Sequence, residues 1–139
     1  MMAPRAAGYS GTPLAKKLGI KPDAEICAIA APANYAKLLA PLPRGVCIGP
    51  DLSAGATFIH IFATERAKLA TSLREALKKM KPDAAIWVSW PKKAAKVQTD
   101  ITEDIIRDVA LPMGYVDIKV CAVNEVWSGL KLVIRKELR

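Results

Sequence analysis

Apolar and polar positions along the chain alternate between two periods. Nearly continuous apolar runs at Glu25 to Ala30, Val46 to Ile48, Thr57 to Phe62 and Ala84 to Trp90 predict strands of the kind that layers cover on both faces. The run Thr57-Phe58-Ile59-His60-Ile61-Phe62 is the clearest of them, rich in β-branched and aromatic residues with no turn former inside. Between the runs the spacing becomes helical. Leu14 and Leu18 share a face in a short helix with Thr12 as cap, Pro13 at the first helical position and Gly19 at the end. Pro32 to Leu39 predicts a second helix, stopped by Pro41 and Pro43.

The strongest helical stripe is Leu69, Leu73, Ala76, Leu77 and Met80 within Glu65 to Met80, with Thr64 placed as N-cap. Another helix is expected from Ile101 to Leu111, with Asp100 as cap, Glu103 three positions on and Gly114 beyond its end. The tail reads as a hairpin: Tyr115 to Val123, a turn over Asn124 to Gly129, then Leu130 to Arg135.

Strands alternating with helices and closed by an antiparallel pair imply an α/β fold, a three-layer Rossmann-like sandwich with a mostly parallel sheet and right-handed crossovers. The expected strand order is 2-1-3-4-6-5, with the last strand inserted antiparallel beside the fourth. This order resembles a shortened methyltransferase-like Rossmann sheet. Residues 1–12 are expected to be a flexible N-terminal segment and residues 13–139 one domain, a size at which a single core suffices.

Composition narrows the classes. Apolar residues at 52% and charged residues at 24% belong to a chain that folds. The start lacks the apolar stretch of a secretory signal, and no run approaches the roughly 20 residues of a membrane-spanning helix, so a cytoplasmic setting without a membrane role is expected. Cys27, Cys47 and Cys121 are too far apart in sequence to suggest a zinc site and lie in apolar segments, which predicts small, reduced core residues. No metal and no cofactor are implied. The net charge of +8, from 21 Lys and Arg against 13 Asp and Glu, can attract an anionic small molecule or an acidic protein partner. There is no block of like charge and there are few aromatics for stacking on bases, so nucleic acid is an unlikely partner.

In open α/β sheets, ligands bind beyond the carboxyl ends of the strands. That rule selects Ala31-Pro32-Ala33-Asn34, Ala63-Thr64-Glu65 and Ser89-Trp90-Pro91-Lys92-Lys93. Asn34, Thr64, Ser89, Trp90, Lys92, Lys93 and Lys96 are therefore the candidate ligand or partner surface: Trp90 offers a stacking face and the lysines meet an anion. The same residues have a plainer reading, in which Trp90 packs as its strand leaves the sheet and the lysines are solvated. Trp127, expected in the hairpin turn, must fold back on the sheet or meet a partner. No catalytic residue is assigned. His60, on one strand face with Phe58 and Phe62, is expected to be a packed, hydrogen-bonded core residue, and a catalytic role would need Ser89 or Glu65 close in space. The first strand-to-helix turn has neither G-x-G-x-x-G nor a Walker pattern, so the backbone does not offer a pyrophosphate cradle.

The segments Gly8-Tyr9-Ser10-Gly11-Thr12-Pro13-Leu14, Trp87-Val88-Ser89-Trp90-Pro91-Lys92-Lys93, Thr99-Asp100-Ile101-Thr102-Glu103 and Val126-Trp127-Ser128-Gly129-Leu130-Lys131 resemble a bacterial family known as domain of unknown function 3052. That resemblance implies a stand-alone bacterial domain and transfers no activity, ligand or site residue. With no recognisable nucleophile, metal set or phosphate loop, the expectation is a non-enzymatic binding or interaction protein. The alternative is an enzyme or sensor on the reduced Rossmann-like sheet, binding a phosphorylated or nucleotide-like small molecule.

Overall fold

The computed structural model describes residues 12–139, so the segment expected to be flexible lies almost wholly outside the described residues. Six strands, β1 (Glu25–Ile29), β2 (Cys47–Gly49), β3 (Ala56–Phe62), β4 (Met80–Pro91), β5 (Tyr115–Ala122) and β6 (Trp127–Ile134), form one sheet in the order β2-β1-β3-β4-β6-β5. The first four are parallel, and β6 runs antiparallel to both β4 and β5. Fold class and strand order are those expected from the apolar runs.

The helices are α1 (Leu14–Lys17), α2 (Tyr35–Leu39), α3 (Arg66–Lys79) and α4 (Glu103–Ala110). On one face of the sheet α1 and α2 pack against Ile26, Ala28, Phe58, Phe62 and Trp87. On the other, α3 and α4 cover Ile59, Ile61, Ile86, Val88 and Leu130. Leu69 and Leu73 are fully buried there, each contributing about 2 kcal/mol through area removed from water. The β2-to-β3 connection on this second face contains no helix. Its six residues, 50–55, cross β1 with Leu52 packed on the core, and the Gly55 N–H donates to the Lys79 carbonyl at 2.7 Å.

Several ends differ from expectation because tertiary partners replace local ones. Pro13, not Thr12, occupies the N-cap position of α1. Its C-terminus closes through Gly19 at φ +79, with Ile20 N–H on Ala15 O and Gly19 N–H on Lys16 O, the pairing of a Schellman motif. Trp87 Nε1 then donates to the Leu18 carbonyl at 2.9 Å, meeting an acceptor that the helix end leaves open. The hairpin turn is tighter than the spacing suggests: Asn124 Oδ1 accepts the N–H groups of Val126 and Trp127, an Asx-type closure that starts β6 at Trp127 rather than Leu130. Gly129 lies opposite Ser89 in the ladder, and a Cβ there would stand 3.2 Å from the Trp87 ring and 3.3 Å from Val123. Between Asp117 and Lys119 the β5–β6 register shifts by a bulge.

Candidate functional site

The chain leaves β1 for α2 on one face and leaves β3 for α3 on the other. Adjacent strand ends thus diverge, the geometry that opens a crevice in α/β sheets. A cleft of about 470 Å³ lies there, lined by Ile29 and Ala30 from the end of β1, Phe62 to Glu65 from the end of β3, and Ala67, Lys68, Thr71 and Ser72 from α3. Its size falls within the range of small-molecule sites. The floor is apolar and the rim polar, with Lys68 Nζ 3.0 Å from Glu65 Oε2. Ala30 adopts φ +56 in the turn leaving β1, a conformation costing a residue with a Cβ roughly 1–2 kcal/mol.

Thr64 does not cap α3. Its carbonyl accepts the Thr99 hydroxyl at 2.7 Å and the Asp100 N–H at 3.3 Å, while Asp100 Oδ1 accepts the N–H of Arg66 at 2.7 Å. Asp100, expected to cap the helix that follows it, caps the start of α3 from a distant segment instead. The α4 cap is Thr102, whose Oγ1 accepts the Ile105 N–H at 3.2 Å. A second cleft of about 420 Å³, between Thr64, Glu65, Gln98, Thr99 and Asp100, lies on this junction. A third, also about 420 Å³, continues from Thr99 to Trp90, Pro91, Lys92, Lys93, Val97 and the start of α4. Shared lining residues make the three one groove over the strand ends.

The candidate residues separate accordingly. Thr64 lines the first two clefts, and Trp90, Lys92 and Lys93 line the third. Trp90 is 8% exposed and belongs to the core on the α4 side, so it forms a floor rather than an open stacking face. Lys96 is exposed in a left-handed turn, and Asn34 stands exposed at the start of α2. Neither lines the groove. Ser89 is wholly buried and cannot belong to a ligand surface. Trp127 folds back, its ring edge-on to Phe62 at a centroid distance of 5.0 Å.

Ser89 instead ends a buried relay. Tyr35 Oη lies 2.8 Å from His60 Nδ1, and His60 Nε2 lies 2.7 Å from Ser89 Oγ. The His60 ring stacks on Phe62 at 4.3 Å. Burial pushes the histidine down to about 3 and raises the Tyr35 hydroxyl above its ordinary range. The ring is therefore neutral, accepting from one hydroxyl and donating to the other. All three residues are buried, so the spatial pairing that catalysis would need lies beneath the surface and not in the clefts at the strand ends described above. Tyr35 escaped the sequence reading. His60 and Ser89 were legible together only through strand register, since Phe62 pairs with Ser89 and His60 precedes Phe62 by two. Ala30, Lys68, Thr71 and Ser72 were missed as well, and the last three share the polar flank of α3 by their spacing.

Glu103 and Asp104, in the first turn of α4, pair with Arg107, whose Nε also donates to Asp117 at 2.9 Å. These bonds, to Asp117 and then Glu103, hold the guanidinium above its ordinary pKa. Among the described residues no three His, Cys, Asp or Glu side chains gather as a metal set, and no helix is long and apolar enough to cross a membrane.

No family model and no curated protein matches the chain. Solved structures do. LepI in complex with SAH and a substrate analogue matches with a TM-score of 0.60 at 13% identity, over 97% of this chain and 50% of that one. Aeropyrum pernix fibrillarin with natively bound S-adenosyl-L-methionine matches with a TM-score of 0.56 at 11% identity, over 91% and 70%. A structure described as a pericyclic reaction enzyme gives 0.54 at 13%, over 97% and 50%. The chain thus spans about half the length of the first of these, and at such identities the likeness is one of fold. The expectation of a non-enzymatic binding protein is corrected by these matches: the fold is shared with structures that hold SAH or S-adenosylmethionine and with an enzyme. The alternative reading, an enzyme or sensor for a nucleotide-like molecule, fits them better.

Proposed function

We propose that this protein is an enzyme domain that binds an adenosyl-bearing small molecule of the S-adenosylmethionine type in the cleft between the ends of β1 and β3. The observation that carries the reading is the coincidence of that cleft with the divergence of the two strands. The residues present fit such a ligand. Ile29, Ala30 and Ala63 offer an apolar bed for a purine, while Thr64, Glu65, Lys68 and Ser72 offer donors and acceptors for ribose hydroxyls and an amino-acid tail. S-adenosylmethionine carries no phosphate, so the absence of a glycine-rich turn costs it little. A dinucleotide fits poorly, because the Ala30-Ala31-Pro32-Ala33 turn presents methyl groups and a proline where a pyrophosphate needs bare backbone.

When bound, a ligand of this type would supply an electrophilic methyl group; the chain's own residues would hold its adenosyl part and keep water from the strand ends. Membership of the domain of unknown function 3052 family belongs to the same proposal, supported by the Trp87 to Lys93 and Val126 to Lys131 segments. A cytoplasmic setting does too, supported by three free cysteines.

Isothermal titration with S-adenosylmethionine and S-adenosylhomocysteine tests the reading. Saturable 1:1 binding is expected. Ala67→Trp, on the exposed first turn of α3 at the cleft wall, should weaken it at least about tenfold, a loss of about 1.4 kcal/mol, without lowering the melting temperature. No binding of either compound, or binding indifferent to Ala67→Trp, overturns the proposal.

A further inference from the structure

The amino ends of the parallel strands carry a cleft of their own. The end of α1 and the turn after it face the early parts of β3 and β4 and the middle of β6 across about 310 Å³, a volume within the range of small-molecule sites. Leu18 and Phe58 are buried beneath it, and Lys21, Asp83 and Lys131 stand in its wall. None of its lining residues belongs to the clefts over the carboxyl ends. Both lysines lack a carboxylate partner. Among the described residues the side chains of Lys21, Asp83 and Lys131 enter no ion pair, and residues 1–11 contain neither Asp nor Glu. The lining therefore sets two cations against one carboxylate. A third cation adds to them from the ladder. Lys119 stands directly opposite Lys131, and side chains so paired share a face with their Cβ atoms about 5 Å apart, where like charges destabilise the sheet. Lys119 Nζ meets the Lys17 carbonyl at 3.3 Å, an acceptor that holds the ammonium without cancelling its charge. Lys131, half-buried, is left to relieve the repulsion toward the cleft it lines. A doubly charged anion between Lys21 and Lys131 gains charge-assisted hydrogen bonds, and the apolar floor suits a short hydrocarbon body.

We propose that this cleft is a second binding site, for a small phosphate ester whose phosphate is held between Lys21 and Lys131 and whose apolar body lies on Leu18 and Phe58. The site goes beyond the adenosyl reading and does not depend on it. A covalent step is not part of it.

The full chain is titrated with phenyl phosphate, inorganic phosphate and benzoate at one fixed ionic strength, with and without saturating S-adenosylhomocysteine. Phenyl phosphate is expected to bind tightest, inorganic phosphate more weakly for want of a body, and benzoate more weakly for want of the second charge. Lys21→Gln, on an exposed residue, and Lys131→Gln should each weaken phenyl phosphate about fivefold, while Asp83→Asn, which removes the opposing carboxylate, should tighten it about twofold. Lys119→Gln should raise the urea midpoint at low salt, since it ends the repulsion with Lys131, and weaken phenyl phosphate by less than Lys131→Gln does. Lys96→Gln, at an exposed turn outside the cleft, should change nothing. Benzoate binding as tightly as phenyl phosphate, an equal loss from Lys96→Gln and Lys131→Gln, no tightening by Asp83→Asn, or displacement of phenyl phosphate by S-adenosylhomocysteine would each overturn the second site. Phenyl phosphate binding that needs Lys21 and Lys131, without any S-adenosylhomocysteine binding, would sustain it while removing the adenosyl proposal.

Discussion

The two sides of the same strand ends are built on opposite principles. Toward α2, the ends of β3 and β4 are plugged: Tyr35, His60 and Ser89 satisfy one another, Phe62 stacks on the imidazole, and Trp127 closes the edge. Toward α3, the ends of β1 and β3 stop at Ala30 and Thr64 with a cleft above them. The closed side holds the residue types that usually suggest catalysis, a histidine between two hydroxyls. The open side is lined by alanines, threonines and one exposed ion pair. Residue chemistry alone therefore points to the closed side, where the buried, fully paired polar relay fixes the packing of α2 on the sheet.

The sharpest way to break this comparison is His60→Ala. It leaves a cavity and strands two buried hydroxyls, and should cost about 3–5 kcal/mol in urea unfolding, while any S-adenosylhomocysteine affinity of the folded fraction stays within about twofold. Unchanged stability with lost binding would make the relay part of the site. Acid probes the same group in the native chain. Its folded pKa lies near 3 against 6.5 when unfolded, so the unfolded chain binds the extra proton first. The stabilisation is complete above pH 6.5 and is lost as pH falls toward 3, at up to roughly 1.4 kcal/mol per unit. Unfolding free energies measured between pH 7 and about 4 should show that slope, and His60→Ala should lack its share. The smallest effect concerns the open side: Asp100→Ala removes the cap on α3 and should cost about 1 kcal/mol, read as a lower urea midpoint with an unchanged slope. No loss would mean that the Arg66 N–H finds another acceptor.

Strand order was legible because it rests on apolar runs and on connections too short to permit alternatives. Helix caps were not. Thr64 and Asp100 each stand where local sequence makes a good cap, yet Asp100 caps a helix that begins 34 residues earlier, a pairing decided by how two loops meet over the sheet. Ser89 was misplaced for a related reason: the strand-end rule marks a loop, but β4 continues to Pro91 and pairs there with Trp127, so Ser89 is still inside the sheet. Tyr35 carried no signal, being one aromatic in an otherwise ordinary helical segment.

The bulge between Asp117 and Lys119 has a consequence for how copies of this protein meet. A sheet with two free margins is a template on which further strands can polymerise. One margin, β2, is three residues long. The other, β5, exposes Ile118 and Val120, which would invite a neighbouring chain, but its run of outward amides is broken at the bulge. Lys119 sits beside that break, its Nζ reaching the Lys17 carbonyl at 3.3 Å. Among the described residues, the margin that exposes these apolar side chains is thus out of step with a straight strand laid against it.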